Sequence, residues 1–297
     1  MKMRLMGLVV AAVAAGGLAA CGSSGDGGSS ATTSATAAEA TVPAPAGLVA
    51  PGKLTIAADF QGPPFDYLDG EEKVGFDVEF DEAAAALMGL EPELVDTRFA
   101  SLVTGLEAGR YDAVVSVLYV TRERAESIGL VPYAQTGSGF LVKAEGDYQP
   151  TLPEDLCGRT VAVLAGGFEE QLVTGRVGDD CRSKGDPLEV KSFPTDTEAT
   201  RDVADERSDV FFSNQSNLLY RAEQVPELAL AVSSTRPLFP IPAAIGVRKD
   251  RPEIRRAFEQ VVAELTASGE LEELLARYGL ELPDPRLVRA ALAGELY

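Results

Sequence analysis

Residues 109–133 read GRYDAVVSVLYVTRERAESIGLVPY, and the order of residue types in them sets the fold class. Ala113 to Val120 is almost wholly apolar and rich in β-branched residues. A run of that length between polar residues predicts a strand buried on both faces, as in a parallel sheet. Thr121-Arg122-Glu123-Arg124 then opens a helix. Thr121 suits the N-cap, which leaves backbone N–H groups at the carboxyl edge of the sheet. That edge is where open α/β sheets bind ligands. Arg124, one turn in, can offer a bidentate fork to a carboxylate. A surface arginine on an ordinary helix fits the same residues, and the stretch alone leaves both readings open.

Further along, the pattern R-x-D-[AV]-[VF]-[VF]-S occurs at Arg110–Ser116 and again at Arg207–Ser213. A strand and a helix precede each copy: ELVD with SLVTGLEA, and LEVKSF with TEATRDVA. Two βαβ units with matching strand starts predict two lobes of similar build facing one cleft. Asp112 and Asp209 are expected to bond loop backbone at the strand starts rather than ligand. Further strands are predicted at 53–58, 93–96, 160–164, 188–193 and 210–212. A hairpin is predicted over 67–74 around Asp69-Gly70. Helices are predicted at 78–88 (capped by Asp77), 101–108, 197–204, 251–269 and 271–278. The extended stretches 138–144 and 238–247 are the candidate crossings between lobes.

The amino end carries a different signal. Lys2 and Arg4 precede an apolar run, Leu5 to Ala15, too short to span a bilayer, and Leu18-Ala19-Ala20-Cys21 matches a lipobox. Residues 1–21 are therefore expected to be a lipoprotein signal peptide with Cys21 lipidated. Residues 22–48, rich in Gly, Ser, Ala and Thr, are expected to be a flexible tether. Localisation is then the extracytoplasmic face of the cell membrane. The formal net charge is −20, which argues against nucleic acid and anionic lipid headgroups as partners. Cys157 and Cys181 remain as a pair; in an exported protein they form a disulfide or stay as two buried thiols. The chain has no histidine, which removes Ser-His-Asp and Cys-His catalysis and histidine metal sites. No metal or cofactor is expected.

With these residues in hand a resemblance emerges. AADFQGPPF (57–65), VGFDVEF (74–80), FASLVTGLEAGRYDAVV (99–115), TRER (121–124), VPY (131–133), DLCGRTVAVLAG (155–166) and AIGVRKD (244–250) together resemble family 3 bacterial solute-binding proteins, the polar amino acid receptors of ABC importers. The resemblance runs from Leu54 to about Leu282. It implies an α/β two-lobed periplasmic-binding-protein-like fold of type II, joined by two hinge crossings. Lobe 1 would hold 49–140 and 241–297, and lobe 2 would hold 146–234. It implies no catalysis: a solute carboxylate would pair with Arg124 and Thr121. Phe99 and Leu102 would be wall residues, Asp59 an acid near the amino end, and Gly166 a backbone contact in lobe 2.

The departures from the family pattern matter as much. The usual aromatic is Gly62 here, so Phe60 or Phe65 would replace it. A usual Ser or Thr is Tyr119, a small polar residue after Gly166 is Phe168, and the acid expected to meet the ligand ammonium is Asn214. The chain thus reads as an amino acid or zwitterion receptor that works, as a monomer, with ABC permease subunits. An alternative is a compatible-solute receptor for ectoine- or betaine-like ligands, lined by Tyr119 and Phe168 through cation–π contacts. Two further alternatives are a cyclohexadienyl-dehydratase-like enzyme, with Glu169, Glu170 and Asp59 as its obvious proton carriers, and a sensory module.

Overall fold

The computed structural model describes residues 40–234 and 236–296. The expected signal peptide, Cys21 and all but the end of the expected tether lie outside the described residues. In chain order the elements are β1 (Lys53–Ala58), β2 (Gln61–Gly62), β3 (Asp66–Asp69), β4 (Glu72–Val74), α1 (Phe76–Leu87), β5 (Glu91–Asp96), α2 (Leu102–Glu107), β6 (Ala113–Val114), α3 (Arg122–Ser127) and β7 (Gly129–Lys143). They continue as β8 (Thr160–Leu164), α4 (Phe168–Thr174), α5 (Arg176–Ser183), β9 (Glu189–Phe193), α6 (Asp196–Ala204), β10 (Val210–Asn214), α7 (Gln215–Gln224), β11 (Leu230–Val232), β12 (Leu238–Val247), α8 (Pro252–Ser268), α9 (Glu270–Arg277) and α10 (Pro285–Ala293).

One sheet carries the order β5-β1-β6-β12-β7-β10-β8-β9, with β11 also on β7. The apolar, β-branched runs KLTIAA and TVAVL make β1 and β8, each flanked by parallel partners. β7 and β12 run antiparallel along each other from Gly129↔Val247 to Ser138↔Leu238. At Ser138, β7 also takes up β10, opposite Asn214. These two long strands are therefore the crossings between halves, and β7 begins nine residues before the crossing expected at Ser138. Each half has its own aromatic packing. Tyr133 lies between Phe76 and Phe80, with ring centroids 5.6 and 4.9 Å away, and Phe212 sits 5.0 Å from Phe140.

The stretch 113–120 departs from expectation. Only Ala113 and Val114 pair as a strand, and Val117 turns the chain with φ at 40°. The cause is polar and distant in sequence. Asp77, expected to cap a helix, is buried inside α1, where its carboxylate accepts the Val117 N–H (3.0 Å) and the Tyr133 hydroxyl (2.5 Å). Gly75 takes the N-cap position at φ 123°, where a Cβ would run into the Phe65 carbonyl. Beyond the turn, Tyr119 bridges to Ala243, and Val120 donates to the Pro242 carbonyl.

The repeated strand starts behave alike. Asp112 accepts the backbone N–H groups of Thr55 (2.9 Å) and Val49 (2.8 Å). Asp209 accepts that of Thr160 (2.8 Å). Cys157 and Cys181 form a disulfide that closes a 24-residue separation and ties the turn at 153–156 to α5. The packed body also starts before residue 49. Thr41 and Val42 both donate to the Leu87 carbonyl, and the Val42 side chain is buried in the core.

Candidate functional site

Between the two halves lies a cavity of about 70 Å³. It is lined by the β1–β2 turn, the irregular stretch after β6, the start of α4, the first turn of α6 and the end of β10. Of the expected site residues, Asp59, Phe65, Phe99, Tyr119, Arg124, Phe168 and Asn214 come together here.

Arg124 is the centre of the arrangement. It is 7 % exposed and is carried on α3, whose N-cap Thr121 accepts the Arg124 amide at 3.2 Å. Its guanidinium donates to the Tyr119 carbonyl (2.9 Å) and, across the cleft, to the Gly166 carbonyl (3.2 Å). It stands 5.6 Å from the Phe99 ring centroid. Burial pulls its pKa down to about 10, with the nearby Glu169 carboxylate pulling the other way. A cation held by neutral carbonyls and an aromatic face keeps its attraction for an incoming carboxylate.

Tyr119 and Phe168 meet edge-to-face at 5.7 Å. The Tyr119 hydroxyl accepts from Asn214 Nδ2 at 2.7 Å. Asn214 also donates to Thr136, and its Oδ1 accepts the Ser216 and Asn217 amides, capping α7. Its amide is thus committed to the frame of the site. Asp59 accepts the Phe99 N–H (2.8 Å) and pairs with Arg98 (2.7 Å). Burial raises its carboxyl to about 6 against the pull of those two partners.

Four of the expected positions sit elsewhere or act differently. Leu102 is fully buried in a core cluster with Leu106 and Tyr111, because α2 turns that face inward. Phe60 packs on Ala58 and Val78, with the Lys73 ammonium 4.9 Å from its ring centroid. Phe65 is the one of the two candidates that reaches the cavity. Thr121 spends its hydroxyl on the helix cap. The Gly166 N–H is taken by Glu170 (2.7 Å), so its carbonyl rather than its N–H faces the cleft.

The lining also contains Ser116, Asp196 and Asn217, which were not expected there, and Glu169, expected only on the alternative enzyme reading. Ser116 donates to Asp66 (2.7 Å) and accepts the Asp59 amide. Glu169 accepts the Ser138 hydroxyl (2.5 Å) and is lifted by burial to about 7. Asp196 opens α6 behind its N-cap Thr195. Asn217 donates across the cleft to the Pro63 carbonyl (2.6 Å), as Arg221 does to that of Gln61 (2.7 Å). A Thr-x-x-Glu signal at 195–198 places the start of α6, but an acid in a first helical turn looks like a dipole complement.

The model of the bacterial extracellular solute-binding proteins, family 3, matches residues 54–281. The chain belongs to this family of two-lobed receptors. It is similar to the arginine-binding extracellular protein ArtP of Bacillus subtilis, at 28 % identity over 76 % of this chain and 86 % of that protein. It is also similar to the lysine/arginine/ornithine-binding periplasmic protein of Escherichia coli, at 27 % identity over 77 % of this chain and 88 % of that one. Among solved structures, an ancestral arginine-binding protein bound to arginine superposes with a TM-score of 0.70 at 26 % identity, covering 76 % of this chain and 98 % of that chain.

Proposed function

We propose that the chain captures an amino acid, or a related small zwitterionic carboxylate, between lobes 49–140 with 241–297 and 146–234, and passes it to the permease of an ABC importer. The buried Arg124 guanidinium carries this reading. It is a cation inside an interlobe cavity, bonded to one carbonyl from each lobe. Relatives of the same family named for arginine, lysine, ornithine and histidine support the ligand class. On this reading the chain catalyses no reaction, acts as a monomer and is held to the membrane by a lipid on Cys21. Mass spectrometry of the membrane-extracted protein tests the lipid.

Binding is tested by thermal shift against the standard amino acids, with Arg124→Ala as the decisive variant. The wild type should be stabilised and the variant should not. Equal shifts in both would remove the basis of the reading. The second reading, an ectoine- or betaine-like ligand, is favoured by the edge-to-face pair of Tyr119 and Phe168 on the cavity wall. It requires compatible solutes to shift the melting point more than amino acids do, and Tyr119→Ser to reverse that preference.

A further inference from the structure

Four acids line the cavity: Asp59, Asp66, Glu169 and Asp196. Three have close donors. Asp59 has Arg98 and the Phe99 amide, Asp66 has Ser116, and Glu169 has Ser138. Asp196 differs. It is 6 % exposed, its Oδ2 faces Arg221 at 3.6 Å and the Asn217 side chain lies close enough to favour its ionisation, but its buried Oδ1 makes no hydrogen bond among the described residues. Arg221 is itself committed, donating to Asn217, Thr197 and the Gln61 carbonyl. An ionisable oxygen left bare in a dry site costs stability unless something else satisfies it. The Asp196 charge reaches into the same space, since it opposes ionisation of Asp59, Tyr119 and Glu169. Asn214, across from Tyr119, has no charge and no uncommitted amide hydrogen.

We propose that Asp196 receives the cationic end of the bound solute, and that Oδ1 selects a cation bearing N–H donors, ammonium or guanidinium, over a quaternary ammonium. The assignment rests on the cleft being the solute site. It adds the opposite pole to Arg124: carboxylate to the arginine, N–H cation to the aspartate. A fully alkylated nitrogen reaches the same charge but leaves Oδ1 without a hydrogen bond.

Isothermal titration with L-arginine, L-glutamine and glycine betaine tests this on wild type, Asp196→Asn and Arg124→Ala. In wild type at least one of the two amino acids should bind, and more tightly than glycine betaine. Asp196→Asn should raise the dissociation constant of that amino acid about thirtyfold or more, the range for truncating one partner of a buried charge pair. A change under about threefold in Asp196→Asn, with Arg124→Ala still abolishing binding, overturns the role of Asp196 and leaves the cleft intact as a solute site. If Asp196 is only the counter-ion of Arg221, the melting point of the ligand-free variant falls while its affinity stays put. The wild-type comparison needs no variant: tighter binding of glycine betaine overturns the selection for N–H donors. Failure of all three probes overturns both this assignment and the amino acid reading.

Discussion

Asp112 in lobe 1 and Asp209 in lobe 2 occupy equivalent places, each holding the N–H of the strand beside it, Thr55 in one case and Thr160 in the other. Four residues on, Ser116 and Ser213 both reach the cavity. There the likeness ends. Lobe 1 continues through Val117 and Tyr119 to a cation, Arg124. Lobe 2 continues to Asn214, which caps α7, and brings Glu169 and Asp196 from the first turns of α4 and α6. Both faces therefore carry acids, Asp59 and Asp66 on one and Glu169 and Asp196 on the other, but the buried arginine of the cavity stands on lobe 1. The frame is set near the strand starts, and the polarity is set at the strand ends, where side chains can vary without disturbing the sheet.

The largest effect is expected from the disulfide, a constraint placed in lobe 2. Replacing Cys157 and Cys181 together with serine should cost about 3 kcal/mol in urea unfolding, the chain-entropy value for a loop of this length. Next come the twin aspartates. Asp112 is buried with two backbone partners, whereas the Asp209 side chain is 39 % exposed with one. Asp112→Ala should cost about 2–3 kcal/mol and Asp209→Ala under about 1 kcal/mol, because leaving buried amides unpaired is the expensive part. Equal losses would mean that the two sites are equivalent in energy as well as in geometry.

A smaller effect is expected at Gly166. Its φ is +76°, and a Cβ there would sit 3.0 Å from the Ala100 Cα across the cleft. Gly166→Ala should hinder closure and raise the ligand dissociation constant about tenfold, because the added Cβ crowds Ala100 of the facing lobe when the cleft is closed. The smallest effect is a slope. Burial raises the Glu169 carboxyl from 4.5 to about 7, so between those values the folded chain keeps a proton that the unfolded chain releases. Its contribution to stability is full below pH 4.5 and is lost as pH rises toward about 7. Glu169→Gln should flatten the fall of the urea midpoint across that window, and an unchanged slope would show that Glu169 does not titrate there. Asp59 and Asp77 are raised in the same direction, so the difference between wild type and variant is the quantity to read.

Much of the fold is legible in the sequence. The β-branched runs mark β1 and β8 and the Pro-broken 238–247 marks a crossing, whereas TRER alone leaves the arginine's role open and the family resemblance singles it out. Tyr119 and Phe168, named through the family resemblance, both line the cavity and meet edge to face. The break in the opening strand was not legible, because its cause is a carboxylate 40 residues earlier. Leu102 and Phe60 were misplaced for a related reason: beside a site, an apolar residue facing the core looks the same in sequence as one facing the ligand. The helix α5 was missed because RVGDDCRS offers few apolar residues, and its buried side is built from Val177, Gly178 and Cys181. Asp196 hid in plain helix-start chemistry, since only packing shows which of its oxygens lacks a donor.

The hold of Thr41 and Val42 on the Leu87 carbonyl has a mechanical consequence. The described chain enters on lobe 1 there, and its last helix, α10, lies against α3 and β12 of the same lobe. A pull applied between Thr41 and α10 loads lobe 1, to which lobe 2 is joined through the chain by β7 and β12 and across the cleft by Arg124, Asn217 and Arg221. Holding the protein at Thr41 or at α10 therefore holds lobe 1 and leaves the two crossings to carry any movement of lobe 2. A dye pair placed on Lys184 of lobe 2 and Gln260 of lobe 1, both exposed, would turn solute capture into a change of distance.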